Sequence, residues 1–288
     1  MAGTALTTKE VARLLSVSEA TIKRWADDGL IQSDKTVGGH RRFGLAGIAR
    51  FQRERGAAPQ RIAAQGARKP ASKEKVSTSL LFQHLIAGHE DETGALLIHA
   101  YLHGTSLASL FDRVITPAMH QIGDLWYRGE VTIADEHLAT QTAIAALQKL
   151  RGLIHLAAPS ELKALICGVE GDLHELPIHL SQVLLESDGW DVINLGPNTP
   201  FFAVAEALTK HRPRLLCISA KLMTDPDRLA RDYAQVLKAA SKLGGAIVLG
   251  GDGFADSLLS QRFPSEFYAK NFEQLLSFTR SLAPTDAQ

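Results

Sequence analysis

From residue 163 onward the chain alternates between two hydrophobic periods. Apolar runs at 163–169, 191–195, 214–219 and 245–249 read as buried strands. Amphipathic stretches near 177–188, 201–211, 227–242 and 271–282 read as helices. This alternation predicts a doubly wound parallel sheet, because each strand that returns parallel to the last needs a crossover. Ligands of such sheets bind outside the carboxyl ends of the strands. The loops after those strands are therefore where chemistry is to be sought.

Three further segments precede this one. Residues 79–157 are helical, with Leu80, Leu81, Leu85 and Ile86, then Leu96, Leu97 and Tyr101, at helical spacing. Gly88, Gly104, Pro117 and Gly129 divide them into about four helices, as in a small bundle. Residues 56–78 are rich in Ala, Gly, Pro, Lys and Arg, cannot build a core, and read as a flexible linker. Residues 5–55 are compact and helix-patterned. The 288 residues, 45% of them hydrophobic, suffice for two or three cores.

The formal net charge of zero hides an asymmetry. Residues 1–75 carry 15 Lys/Arg against 7 Asp/Glu, and the remainder 16 against 24. A basic head on an acidic body suggests that the head meets a polyanion. The only cysteines, Cys167 and Cys217, lie in apolar runs and read as small buried hydrophobes, which fits a reducing cytoplasm. The N-terminus lacks a signal pattern and no apolar run reaches the ~18 residues of a membrane span, so no membrane partner is expected.

In the head, 8–15 reads as a first helix and Ser16-Val17 as a turn. Ser18 caps a second helix that ends at Gly29. Val11, Leu14, Leu15, Val17, Ile22, Trp25 and Leu30 form the expected core. Ser18, Thr21, Lys23 and Arg24 are left facing outward, where such a helix enters a major groove. Gly38-Gly39 then permits a tight turn, and Lys35, His40, Arg41 and Arg42 suit a wing gripping phosphates. One helix, about 45–54, follows. The run TTKEVARLLSVSEATIKRWADDGLI followed by GGHRRF resembles the winged helix-turn-helix head of MerR-type regulators, which implies double-stranded operator DNA as the partner.

Three features of the last segment follow in order: Asp172-Leu173-His174-Glu175-Leu176-Pro177 after the first strand, Ser219-Ala220-Lys221 at the end of the third, and Gly250-Gly251 after the fourth. Together they resemble the cobalamin-binding signature DxHxxG…SxL…GG, and the intervals agree with it. The resemblance implies a flavodoxin-like domain in which His174 is the lower cobalt ligand and Asp172 orients its ring through the other nitrogen. It also implies that Ser219 contacts the base of the displaced nucleotide tail, while Gly250 and Gly251 let the tail pass close to the backbone. Pro177 stands where glycine is expected and Lys221 where leucine is. Proline suits the first turn of a helix, and Lys221 can contact the tail phosphate or stay solvated.

The helical segment carries Trp126, Gly129, Glu136 and His137 in the spacing Wx9EH. This resembles the helical cap of CarH-type photoreceptors, which use adenosylcobalamin. It implies that Trp126 packs over the upper corrin face and that Glu136 and His137 line the same chamber. Tyr127 lines it where those proteins carry a histidine, and a phenol is a poor neutral cobalt ligand.

The resemblance covers nearly the whole chain and divides it at 1–55, 56–78, 79–157 and 158–288. It implies a cytoplasmic, homo-oligomeric (dimer or tetramer), light-responsive regulator, a repressor, in which adenosylcobalamin controls assembly and operator binding. Two other readings stand beside it: a regulator of the same architecture that senses another ligand or cobalamin abundance, or dimerises through a cofactor-free body, and a corrinoid methyl carrier. No Ser/His/Asp or paired-carboxylate arrangement demands an enzyme.

Overall fold

The computed structural model describes residues 5–14, 17–36, 38–44, 47–48, 51, 77–154, 162–256 and 261–282. The head comprises β1 (Ala5–Thr7), α1 (Thr8–Leu14), α2 (Glu19–Asp27), β2 (Asp34–Lys35) and β3 (Arg41–Gly44). Its strands form an antiparallel sheet of order β1-β3-β2. Ser18 caps α2, its Oγ accepting from the Thr21 amide at 3.1 Å. Val11, Ile22, Trp25 and Phe43 are buried, with Val17 packed beside them.

The sequence places Leu30 in this core, and the structure corrects that. Leu30 is 54% exposed and Ile31 is buried instead. Gly29 turns the chain at φ 71°, and the amides of both Leu30 and Ile31 donate to the Trp25 carbonyl, so the second residue after the reversal points inward. The side chains of Leu14 and Leu15, most of the helix expected over 45–54, and nearly all of the expected linker lie outside the described residues.

The middle segment comprises α3 (Thr78–Ile86), α4 (Glu90–Leu102), α5 (Leu107–Leu110), α6 (Thr116–Tyr127) and α7 (Ile133–Leu153). Gly88, Gly104 and Gly129 fall in turns, as expected. Pro117 does not divide two helices. The chain runs from α5 through a π turn (Phe111–Ile115) directly into α6, with Pro117 in the first turn of α6. The Thr116 amide reaches back five residues to the Phe111 carbonyl. This wider turn accommodates a residue that has no N–H to offer.

The last segment alternates β4 (Lys163–Gly168), α8 (Leu176–Ser187), β5 (Asp191–Asn194), α9 (Phe201–His211), β6 (Leu215–Ser219), α10 (Pro226–Ser241), β7 (Ala246–Gly250), β8 (Phe267–Ala269) and α11 (Phe272–Leu282). The sheet is parallel, in the order β5-β4-β6-β7-β8. The doubly wound expectation holds. The short edge strand β8 has an apolar run of only three residues, too short to announce it. Cys167 and Cys217 are free and buried, and burial pushes the Cys167 thiol up to about 12.

Helices α9 and α10 cover one face of the sheet and α8 and α11 the other, where the apolar cluster continues into α3–α7. Polar ties pin this junction. Arg151 pairs with Glu186 through two contacts of 2.6 Å, and Glu186 is 8% exposed. The Asp112 carboxylate, carried on the π turn, accepts the first amides of α11, from Phe272 at 2.9 Å and Glu273 at 3.0 Å.

Candidate functional site

Strand order reverses between β4 and its two neighbours β5 and β6, and a ligand crevice opens at such a switch point. The loop after β4 places Asp172 and His174 there. Asp172 is 3% exposed, an expensive position for a carboxylate unless its oxygens are filled. They are. Oδ1 accepts the His174 ring Nδ1–H at 2.6 Å and the His174 amide at 3.1 Å. Oδ2 accepts the Lys221 amide at 2.5 Å, from the loop after β6. Burial pushes the Asp172 carboxyl up, but the His174 and Lys221 hydrogen bonds hold it below its ordinary value on balance. The bond to Asp172 raises the His174 imidazole, against burial, and the charge of Glu136 adds to the effect. With Nδ1 committed to Asp172, Nε2 is the nitrogen left for a ligand on a ring that is 47% exposed.

Other expected site residues lie on the helical segment. Glu136 and His137 open the second turn of α7, whose start is fixed by a capping box between Thr132 and Asp135. Glu136 Oε2 lies 2.6 Å from His137 Nδ1, and its Oε1 accepts from Thr140 at 3.0 Å. One turn on, Gln141 donates to Glu175 at 2.8 Å and so ties α7 to the loop that carries His174. Trp126 and Tyr127, at the end of α6, are 46% and 85% exposed.

Ser219 ends β6 half-buried, beside Gly250 in the parallel register. Gly251 has a reason internal to the protein. Its φ is 91°, and a Cβ there would stand 2.3 Å from the Ala220 carbonyl oxygen. Pro177 lies in the first turn of α8, as its fixed φ favours. The Lys221 ammonium pairs with Asp252, joining the loops after β6 and β7. That pair holds the Asp252 carboxyl below its ordinary range, and His120 on α6 adds to the effect.

Several residues here escaped the sequence reading: His120, Gln141, Glu175, Asp252 and Tyr268, whose hydroxyl donates to the Gly251 carbonyl at 3.0 Å. Only Gln141 left a usable signal, lying one turn beyond His137 on the same helix face.

In the head, Lys23, Arg24, Lys35, His40 and Arg42 are exposed, and Ser18 and Thr21 are engaged in the α2 cap with their hydroxyls 2.8 Å apart. Arg41 turns inward, 16% exposed, toward Asp27.

The donor set fits a corrinoid. An imidazole oriented by a buried carboxylate is a strong nitrogen donor for cobalt, it sits at the sheet's switch point, and the helical segment brings the charge of Glu136 to bear on the same ring. Among the described residues, no cluster of three or more His, Cys, Asp or Glu is arranged to hold a metal ion by itself.

Residues 5–56 match the helix-turn-helix domain family, and residues 80–151 and 162–264 each match a B12 binding domain family. The HTH-type transcriptional repressor CarA of Myxococcus xanthus is 23% identical over 280 residues, 93% of this chain and 94% of that protein. Dimethylamine corrinoid protein 3 of Methanosarcina acetivorans is 23% identical over 174 residues, 60% of this chain and 81% of that protein. The structure of the Methanosarcina barkeri monomethylamine corrinoid protein superposes with a TM-score of 0.62 at 17% identity, covering 74% of this chain and 100% of that one, a likeness of fold. The chain thus carries a helix-turn-helix domain followed by two B12-binding domains. No described helix is long and apolar enough to cross a membrane.

Proposed function

We propose that this protein is a cobalamin-dependent, light-responsive transcription regulator, a cytoplasmic repressor in which adenosylcobalamin controls oligomerisation and operator binding. The observation that carries the reading is the Asp172–His174 pair. A buried carboxylate holds the ring through Nδ1 and leaves Nε2 for a ligand, on a chain that carries a helix-turn-helix domain.

The proposed architecture is a MerR-like winged head (1–55), a linker (56–78), a four-helix cap (79–157) and a sensor sheet (158–288). Adenosylcobalamin, when bound, would supply a light-sensitive cobalt–carbon bond. His174 would hold the cofactor through Nε2, and Asp172 sets the tautomer and basicity of that ring. Trp126, Glu136 and His137 close the chamber from above with Tyr127 at its rim, while Ser219, Gly250 and Gly251 border the tail. The shared apolar cluster and the Arg151–Glu186 pair anchor the cap at the far end. A change in the chamber therefore opens the cap about that anchor and does not release it. Ser18, Thr21, Lys23, Arg24, Lys35, His40 and Arg42 face the duplex, and assembled bodies present several heads to repeated sites, where multivalency multiplies affinity.

The test is an absorption spectrum of the protein loaded with adenosylcobalamin in the dark and again after green light, alongside retention of DNA in both states. Identical retention in light and dark refutes the light response.

A second reading keeps the architecture and changes the signal to another ligand or cobalamin abundance. Tyr127 at the chamber and the Lys221–Asp252 pair across the strand ends favour it. A body that takes up no cobalamin would favour the other-ligand form of this reading and exclude the cobalamin-abundance form. Methyl carriage, suggested by the likeness to corrinoid proteins, leaves the helix-turn-helix domain without a task.

A further inference from the structure

Strand β3 has a two-residue period, and the burial of Phe43 fixes which face is inward. Arg41 shares that face with Phe43, and Arg42 takes the other. The guanidinium of Arg41 accordingly lies against α2. Its Nη1 donates to the Lys23 carbonyl at 3.1 Å, and its Nη2 pairs with Asp27 in the last turn. Asp27 is the last residue of α2, at the negative end of the helix dipole, where a cation is favoured, and Lys23 lies one turn before it. A forked guanidinium held at two points of one helix fixes a direction, which a single ammonium cannot do.

We infer that Arg41 is a positioning residue of the DNA-binding head. It latches the β2–β3 hairpin to α2, so that Lys23 and Arg24 on the helix and Lys35, His40 and Arg42 on the hairpin meet a duplex together, and it makes no phosphate contact of its own. This rests on the DNA-binding reading above.

The distinguishing variant is Asp27→Ala. Removing an acidic residue from a DNA-binding surface, and from a helix C-terminus, strengthens binding if Asp27 is a bystander. The latch predicts the opposite sign. The probe is a duplex selected from a random library by the wild-type full-length protein, with affinity followed by fluorescence anisotropy across a KCl series.

Asp27→Ala, Arg41→Gln and Arg41→Lys are each expected to weaken binding by about five- to tenfold, and the Asp27→Ala/Arg41→Gln double variant no further than either single change. The slope of log affinity against log salt stays at the wild-type value, and the circular-dichroism melting curve is unmoved. A phosphate contact at Arg41 would instead lower that slope by about 0.9 in Arg41→Gln, spare Arg41→Lys, and leave Asp27→Ala equal to or tighter than wild type. That pattern overturns the inference. Failure of the wild-type protein to select any duplex would refute the DNA-binding reading, and the positioning role with it.

Discussion

Asp172 is the residue whose loss the structure prices most clearly. Replacement by alanine removes the acceptor of the His174 ring N–H at 2.6 Å and of the Lys221 amide at 2.5 Å in one step. Two effects follow and can be measured separately. The freed Lys221 amide loses its acceptor at a part-buried contact, so the cost falls at the low end of the about 1–3 kcal/mol that an unsatisfied buried donor carries. The Lys221 ammonium keeps its pairing with Asp252 on the exposed side, so the loop does not collapse to compensate. Stability measured by urea denaturation of the cofactor-free protein should therefore fall within that range.

The second effect concerns the ring. Loss of a carboxylate behind a metal-bound imidazole typically lowers metal affinity by about 10–100-fold. Titration of cobalamin followed by absorbance should show that loss, together with loss of the spectral signature of imidazole ligation. Asp172→Asn separates the two. Its amide oxygen can take the Oδ2 place and accept the Lys221 N–H, which restores part of the stability, while its NH2 then faces His174 and cannot accept from the ring, so cofactor affinity stays reduced. Wild-type cobalamin affinity in Asp172→Ala would refute the argument, since His174 could not then owe its orientation to the carboxylate.

Gly251→Ala places a Cβ against the Ala220 carbonyl at a positive φ and should destabilise the protein by ~3 kcal/mol or more in denaturant titration, with or without cofactor. Arg151→Met strands a nearly buried Glu186 and should cost ~2–3 kcal/mol, below the usual range for a broken buried pair because Arg151 is 33% exposed; the Arg151→Met/Glu186→Leu double variant should recover most of the loss. Lys221→Met should return the Asp252 carboxyl upward toward the ordinary aspartate range in a carboxyl-carbon NMR titration. Because the folded value is depressed, the contribution of Asp252 to stability is present above the unfolded value and fades as pH falls through the folded one, so the variant should lose that pH dependence.

The alternation of strand and helix was legible in the amino-acid sequence, because apolar period and run length are local properties. The sequence likewise set the α2 cap at Ser18 and the loop that carries Asp172 and His174, two residues apart and bound to reach one another wherever the strand ended. It did not foresee that Pro117 lies within a continuous helical path, since the π turn that absorbs it is supported by Asp112 reaching α11, 160 residues away in sequence. Nor did it reveal that Arg41 faces α2 while Arg42 faces outward, although Phe43 held the clue once the strand was known. It took the tertiary structure to show that Lys221 pairs with Asp252 and that Gln141 ties cap to sheet. Each of those contacts joins two segments whose separate patterns are complete without the other, so no period within either segment encodes the meeting.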